Sequence, residues 1–345
     1  MNVLRKKRTG LKEVAESAGT SIATASRVLN NTGYIAEETR ARVLQAAAAL
    51  NYSPNLRAKG LRQQRSHFIG LLLPNLLNAY YTTLADAISQ LLAGRGYQIL
   101  LSSTRDDPAI QEATLQQMVG YDVAGVIWVP AEPGKKLLEF IQVQQIPTVA
   151  IVRKVEGSLL DTIVFEDFDG SQAATQHLIS LGHQRIAYIG GDVKYNSNRD
   201  RWQGYLKAVR EAGLPVDESL VKLGTLRSSW GAIAAGELLH LPKPPTAIFV
   251  ASNAIMAGVM RILQQNRVRV PEEVSLICFD DLDWFSFSNP PISAVATSYQ
   301  RLAEAAVELL LRRIEGEAGA DMPPVEFRIG YELVIRRSTA APGEK

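Results

Sequence analysis

From Phe68 to the neighbourhood of Asp280, short apolar runs alternate with helical phrases, and this alternation restricts the fold more than any other feature of the chain. FIGLLLP, YQILLSST, AGVIWVPA, TVAIV, TIVFED, RIAYIGG, TAIFVAS and VSLICFD read as strands that are apolar on both faces, as strands of a parallel sheet covered by helices must be. Between them, ADAISQLLAGRG, EATLQQMVG, KLLEFIQVQQ, QAATQHLISLG, WQGYLKAVREAG, AIAAGELLHL and IMAGVMRILQQ carry helical spacing. Roughly ten strands exceed one small sheet. The pattern therefore predicts an α/β core of two doubly wound parallel-sheet lobes that part near residues 151–168, with the cleft between them as the expected ligand site.

The first 52 residues have a different texture. Leu11, Val14, Ala15 and Ala18 recur at three-to-four spacing, Gly19 interrupts, and Ala25, Val28 and Leu29 form the inner face of a second helix. A third helix from Glu37 to about Leu50 carries Val43, Ala46, Ala47 and Leu50 on one side, so three short helices can close an all-α helix-turn-helix head. In NYSPNLRAKGLRQQRS, Ser53 can cap and Pro54 can open a short helix ending near Leu61, which Gly60 weakens. The expected organisation is a head at 1–52, a hinge helix and linker at 53–66, and a core at 67–340. Within that core the first lobe is expected at about 67–165 and 298–326, and the second at about 166–297 and 327–340.

Charge divides along the same line. Residues 1–66 hold 12 Lys and Arg against 4 Glu, which leaves 25 against 31 for the remainder of a chain whose net charge is only +2. A basic head on an acidic body points to a polyanion, with nucleic acid as the first candidate. No run of eighteen apolar residues suggests a membrane span, and Lys12, Glu13 and Glu16 interrupt what would be the apolar stretch of a secretory leader, so the expected compartment is the cytoplasm. The single cysteine, Cys278, lies in VSLICFD and reads as a small buried strand residue.

An enzyme on this scaffold would need a catalytic or cofactor motif. GxGxxG after a strand, GxxxxGK[ST] and HExxH are all missing, and YIGGD is too short for a nucleotide loop. His67, His177, His183 and His240 lack metal spacing, so neither a metal nor a cofactor is expected. On the second helix, by contrast, Ile22, Ala23 and Arg27 point away from the inner face. An outward Arg can bond guanine N7 and O6 in the major groove while Ile22 and Ala23 meet thymine methyls. Thr9, Ser21, Thr24, Ser26 and Asn30 are placed to bond phosphates.

LKEVAESAGTSIATASRVLNN followed by EETRARVLQAAAALNYSPN closely resembles the head of LacI/GalR bacterial transcription regulators, and the resemblance runs through almost the whole chain. It implies a helix-turn-helix head, a hinge helix and a periplasmic-binding-protein-like core. It also implies a repressor that binds double-stranded operator DNA as a homodimer and answers to a small sugar or sugar acid. In this resemblance Ile22, Ala23 and Arg27 occupy base-reading positions. Ala58 and Leu61 become hinge residues at the minor groove, where Leu61 and its dimer mate would wedge into a base step. Tyr34 and Arg62 complete the DNA-contacting set. Gly33 and Ala36 depart from the pattern, the latter replacing the usual hydroxyl cap of the third helix.

In the core, Arg201 in NRDRWQGYLKAV and Asp280 in CFDDLDW resemble the family's two polar effector anchors, a forked donor and an acceptor for vicinal hydroxyls. Tyr80 and Tyr81, which follow Asn78, are expected to stack on a sugar face. Asn253, Ser197 and Arg153 fall at or near effector positions, and Leu226 and Trp230 are expected as apolar walls. Arg153 with Arg201 suggests a welcome for a carboxylate or phosphate. Glu166 and Asp167 stand where relatives usually have Asp then Asn, which disturbs any simple transfer of contacts there. The rival reading is a sugar-binding protein of the same core fold without a DNA role, and the basic head speaks against it.

Overall fold

The computed structural model describes residues 9–52, 66–132, 134–316 and 323–343. The chain divides into two compact units, Met1–Ser66 and His67–Lys345. The expected hinge residues Ala58, Gly60, Leu61 and Arg62, with Ser53 and Pro54, lie outside the described residues.

In the head, α1 (Leu11–Ser17), α2 (Ile22–Leu29) and α3 (Glu37–Ala49) enclose Val14, Ala15, Ala25, Val28, Val43, Ala46 and Ala47. Gly19, at φ +62°, turns the chain between α1 and α2 at little steric cost. Ser21 then starts α2, its hydroxyl accepting from the Thr24 amide at 3.0 Å. Ala36 makes no side-chain cap to α3, whose first turn instead carries Glu37 and Glu38 against the helix dipole.

The core begins with β1 (Phe68–Leu73), α4 (Ala79–Ala93), β2 (Gln98–Ser103), α5 (Pro108–Gly120), β3 (Gly125–Trp128), α6 (Lys135–Gln144), β4 (Thr148–Ile151) and β5 (Asp161–Phe165). A second lobe follows as α7 (Asp167–Ser180), β6 (Ile186–Gly191), α8 (Asn196–Glu211), β7 (Val221–Gly224), α9 (Ser228–Leu239), β8 (Ala247–Val250), α10 (Asn253–Gln265), β9 (Ser275–Phe279), α11 (Asp283–Phe287) and β10 (Ser293–Thr297). Then α12 (Tyr299–Glu315) returns to the first lobe, β11 (Glu326–Ile329) joins its sheet, and β12 (Tyr331–Val334) joins the other.

The first sheet has the order β11-β5-β4-β3-β1-β2 with every pair parallel. The second has the order β12-β10-β9-β8-β6-β7, parallel except for β12, which runs antiparallel to β10. The backbone thus passes between lobes at Glu166, Ser298 and Gly330. The last passage corrects the expected boundary at 326/327, which falls inside β11. That strand stays paired with β5 from Glu326 beside Thr162 to Ile329 beside Phe165. Cys278 is buried in β9 as expected.

One helix crossing decides how the second lobe meets the cleft. At Gly204 on α8, a Cβ would lie 2.2 Å from the Phe168 carbonyl oxygen and 3.0 Å from the Gln172 amide of α7, so the two backbones touch where any side chain would stand. The Ser171 hydroxyl donates to the Arg201 carbonyl across the same contact. This approach brings the first residue of α7, Asp167, to the first turns of α8. Gly204→Ala should gain about 1 kcal/mol of helix propensity yet lose stability overall, because separating the helices costs about 1–3 kcal/mol or more. Urea unfolding of the full chain checks the sign, and a stabilised variant would count against the contact.

Candidate functional site

On the head, α2 presents Ile22, 47% exposed, with Ala23 and Arg27 on the face opposite Ala25 and Val28. The polar residues around this face first serve the helix itself. The Ser21 and Thr24 hydroxyls share a 2.9 Å hydrogen bond, and the Asn30 amide donates to the Ser26 carbonyl at 2.9 Å. Ser21 and Asn30 remain exposed beyond these bonds, and the Tyr34 ring is 99% exposed. Arg40 fixes the following turn by donating to the Asn31 side-chain oxygen at 2.7 Å. Thr9, expected to face phosphate, donates instead to the Leu50 carbonyl at 3.3 Å and ties the beginning of the head to its end.

In the core, Tyr80, Tyr81, Arg153, Ser197, Arg201, Leu226, Asn253 and Asp280 line one cavity between the carboxyl ends of the two sheets. Five further lining residues escaped sequence reasoning, namely Asn78, Val152, Phe165, Asn198 and Ser252. Four of them lie at strand–helix junctions, where applying the strand-end rule throughout would have found them, and Val152 follows the carboxyl end of β4 in the connection to β5. Asn78 and Ser252 cap α4 and α10 through bonds to the Tyr80 and Ala254 amides, which aims the first turns of both helices at the cavity. Trp230 is not a wall. It is absent from the cavity lining and packs on Gly224, where a Cβ would lie 2.4 Å from the indole ring. The space enclosed is about 30 Å³, enough for a couple of water molecules.

Charge in this cavity is already matched. Arg201 donates from Nε to the Asp167 carboxylate at 2.7 Å and from Nη1 to the Ala251 carbonyl at 2.7 Å. Its Nη2 lies 3.9 Å from Asp280, and its guanidinium lies 3.7 Å from the Phe279 ring centroid. Burial opposes the Arg201 charge, but Asp167 and Asp280 hold its pKa above the ordinary arginine value. Asp280, at φ +71°, accepts from the Asn253 amide at 2.8 Å. Burial raises the Asp167 pKa to about 6, with Arg201 acting against that rise. Burial also raises Tyr81 to about 12 and lifts Tyr80 well above an ordinary phenol. The Tyr80 hydroxyl is buried with no hydrogen-bond partner, although it lines the cavity.

Arg153 belongs to the opposite wall. It donates to Asp106 and, at 3.1 Å, to the Pro130 carbonyl, and its guanidinium lies 3.9 Å from the Tyr195 ring centroid. Tyr195 belongs to the second lobe, so this stack spans the cleft. Beside it the Lys154 amide donates to the Asn196 side chain at 2.9 Å, Arg199 pairs with Glu156, and Lys194 lies 3.9 Å from Glu132. Arg153 is aimed by a strained turn. Val152 has φ +65°, and the Arg153 amide donates back to the Ile151 carbonyl at 2.7 Å. Positive φ is a true outlier for a β-branched residue.

Val152 therefore allows a test in which the usual order of substitutions reverses. Val152→Ala keeps a Cβ in the disfavoured region and loses packing, whereas Val152→Gly also relieves about 1–3 kcal/mol of backbone strain. The glycine variant is expected to be the more stable of the two by denaturant midpoint. The opposite order would remove the strain.

Two family models match the chain, "Bacterial regulatory proteins, lacI family" over residues 10–55 and "Periplasmic binding protein-like domain" over residues 175–339. The HTH-type transcriptional repressor PurR of Actinobacillus pleuropneumoniae serotype 3 (strain JL03) is 32% identical over 329 residues, covering 95% of this chain and 97% of the relative. The HTH-type transcriptional regulator DegA of Bacillus subtilis (strain 168) is 32% identical over 336 residues, covering 96% and 98%. Among solved structures, the lac repressor dimer bound to operator and the anti-inducer ONPF aligns with a TM-score of 0.85 at 25% identity, over 97% of this chain and 100% of that one. The complex of the transcriptional regulator CelR with cellobiose aligns at 0.72 and 28% identity, over 96% and 100%.

Proposed function

The chain belongs to the LacI family of bacterial regulatory proteins, and on that footing we propose that it is a repressor whose hold on operator DNA is set by a sugar-like effector in the interlobe cleft. DNA-binding regulation is the family's activity, and the relatives are regulators rather than enzymes. The observation that carries the proposal is the presence, on one chain, of an exposed α2 face beside a head core and of a closed polar cavity between two lobes. A sugar-binding protein without a DNA role has no use for the first.

Ile22, Ala23 and Arg27 are the proposed base readers, with Ser21, Thr24, Asn30 and Tyr34 on phosphates. A single head makes few base contacts, so specificity calls for a homodimer on a partly palindromic operator. A dimeric solved relative on operator supports this arrangement. A role on operator DNA supports the cytoplasm as its compartment. Among the described residues no helix is long and apolar enough to cross a membrane.

The effector is proposed to meet Asp280 and Asn253 on one side and the unpartnered Tyr80 hydroxyl on the other. With two arginines facing Asp106, Asp167 and Asp280, the cavity has no spare positive charge, so the carboxylate or phosphate suggested by Arg153 and Arg201 loses its support. An uncharged polyol fits better, because its hydroxyls can donate to carboxylates and accept from Tyr80. The enclosed space is too small for a sugar ring, so the lobes must part to admit one.

Two measurements test these assignments. Arg27→Ala should lower affinity for operator by about 1–3 kcal/mol, the worth of a bidentate base contact, while affinity for scrambled duplex changes little. Equal loss on both duplexes would make Arg27 a phosphate contact. In a melting-temperature screen of sugars and sugar acids, a neutral sugar should stabilise the protein and Asp280→Ala should abolish its effect. Stabilisation that survives Asp280→Ala would move the site elsewhere.

A further inference from the structure

The second acid of the EDFDG phrase departs from the family pattern, and its structural setting gives that departure a consequence. Asp167 is 2% exposed and accepts from Arg201 Nε at 2.7 Å. Arg201 already gives its Nε proton to Asp167 and one Nη1 proton to the Ala251 carbonyl. Asp280 flanks the other edge at 3.9 Å, and the Phe279 ring covers the guanidinium plane. The neighbouring Tyr80 hydroxyl, buried and without a partner, marks the cavity as a place where a ligand group is wanted.

We propose that Asp167 is a positioning residue that neutralises and orients Arg201 and so makes the cleft select uncharged ligands against their carboxylate counterparts. This rests on the cleft being the effector site. A buried guanidinium with one carboxyl neighbour fewer attracts any anion that can reach it, because charge pairs strengthen where bulk water is excluded. With Asp167 in place, an entering carboxylate meets Asp167 and Asp280 around a single guanidinium, and two carboxylates already satisfy that charge.

The charge on Asp167 also responds to pH. The groups that act on it or are acted on by it are Arg201 and Asp200 on α8, Asp280 after β9, Tyr188 on β6 and Tyr80 on α4. Burial is the largest influence and raises its pKa to about 6. Below that value the carboxyl takes up a proton and stops opposing anions. Above it the carboxylate is charged and opposes an entering anion.

Formate is a suitable probe, because it carries the carboxylate without a sugar and is small enough for the closed cavity. Melting of the full chain is followed in formate against chloride at equal ionic strength, at about pH 5 and about pH 8. Wild type should show no formate-specific shift at the higher pH and a saturable rise of roughly 2–4 °C at the lower. Asp167→Asn, which keeps an oxygen for Arg201 Nε but removes the charge, should show the rise at both. Adding Arg201→Met to that variant should abolish it at both, which separates the cleft from the basic head.

A formate shift of the same size in wild type at both pH values would overturn the proposal, as would a folded Asp167→Asn protein that ignores formate at the higher pH. If Asp167→Asn fails to fold, the wild-type comparison alone still decides. No sugar enters this experiment, so a sugar panel without a hit would overturn the effector reading and leave the formate result standing.

Discussion

The close crossing of α7 and α8 governs what the cleft can be. Gly204 permits the backbones to touch, the Ser171 hydroxyl holds the Arg201 carbonyl, and only then do the side chains of Asp167 and Arg201 meet at 2.7 Å. A buried ion pair of this kind is a poor source of stability, because desolvating both groups offsets most of their attraction. Its effect is geometric. The guanidinium gives Nε to Asp167 and one Nη1 proton to the Ala251 carbonyl, and its face is covered by Phe279. What the second lobe offers a ligand is thus fixed by helix packing some distance from the ligand itself.

The first lobe reaches the same cavity by backbone strain rather than helix packing. Arg105 and Asp106 both take positive φ, at +57° and +58°, which turns the chain sharply after β2 and sets Asp106 opposite Arg153. Val152 does the same after β4. Strained residues persist where the surroundings hold them in place, and here the surroundings are the buried Ile151 and Ile163 on either side of the turn, the latter accepting the Val152 amide at 2.8 Å. Each wall consequently carries an arginine already partnered by an acid. The cavity is polar without spare positive charge, and this property could not be read from a count of its basic residues.

The sequence carried the architecture because the architecture depends on repetition. Nearly uniform apolar strands between amphipathic helices demand parallel sheets, and many such strands demand more than one sheet. It missed β7, β11 and β12 because they are short and largely unburied at sheet edges, where no apolar run is required, and it missed β10 because SAVAT carries only small apolar residues. Effector positions came from the family resemblance, and all eight meet in one cavity, which periodicity alone could not have shown. Asp167 was noticed as an irregularity but given no role, since its partner lies 34 residues away and only the crossing at Gly204 joins them. The direction of Thr9, too, depends on where Leu50 returns, a tertiary fact beyond any local pattern.

The same topology determines how the cleft opens. On one side the lobes share three backbone passages, at Glu166, Ser298 and Gly330. Glu166 is held to the passage beside it through its amide bond to the Ile329 carbonyl at 3.0 Å. On the open side the lobes meet through Arg199 with Glu156 and Lys194 with Glu132, where three of the four side chains are more than 40% exposed. Exposed pairs contribute about 0–1 kcal/mol each, so the cost of parting the lobes falls mainly on the Arg153–Tyr195 stack and the Lys154–Asn196 hydrogen bond. A ligand that touches Tyr80 on one lobe and Asp280 on the other binds the closed arrangement more tightly than the open one, and that difference alone can shift the equilibrium. Asp167 is the first residue of α7, one position beyond the first passage, and through Arg201 it touches the ligand's side of the cavity. The passage at Glu166 and the acid that holds Arg201 are therefore adjacent in the chain, so a change of backbone angle at the one would bear on the orientation of the other.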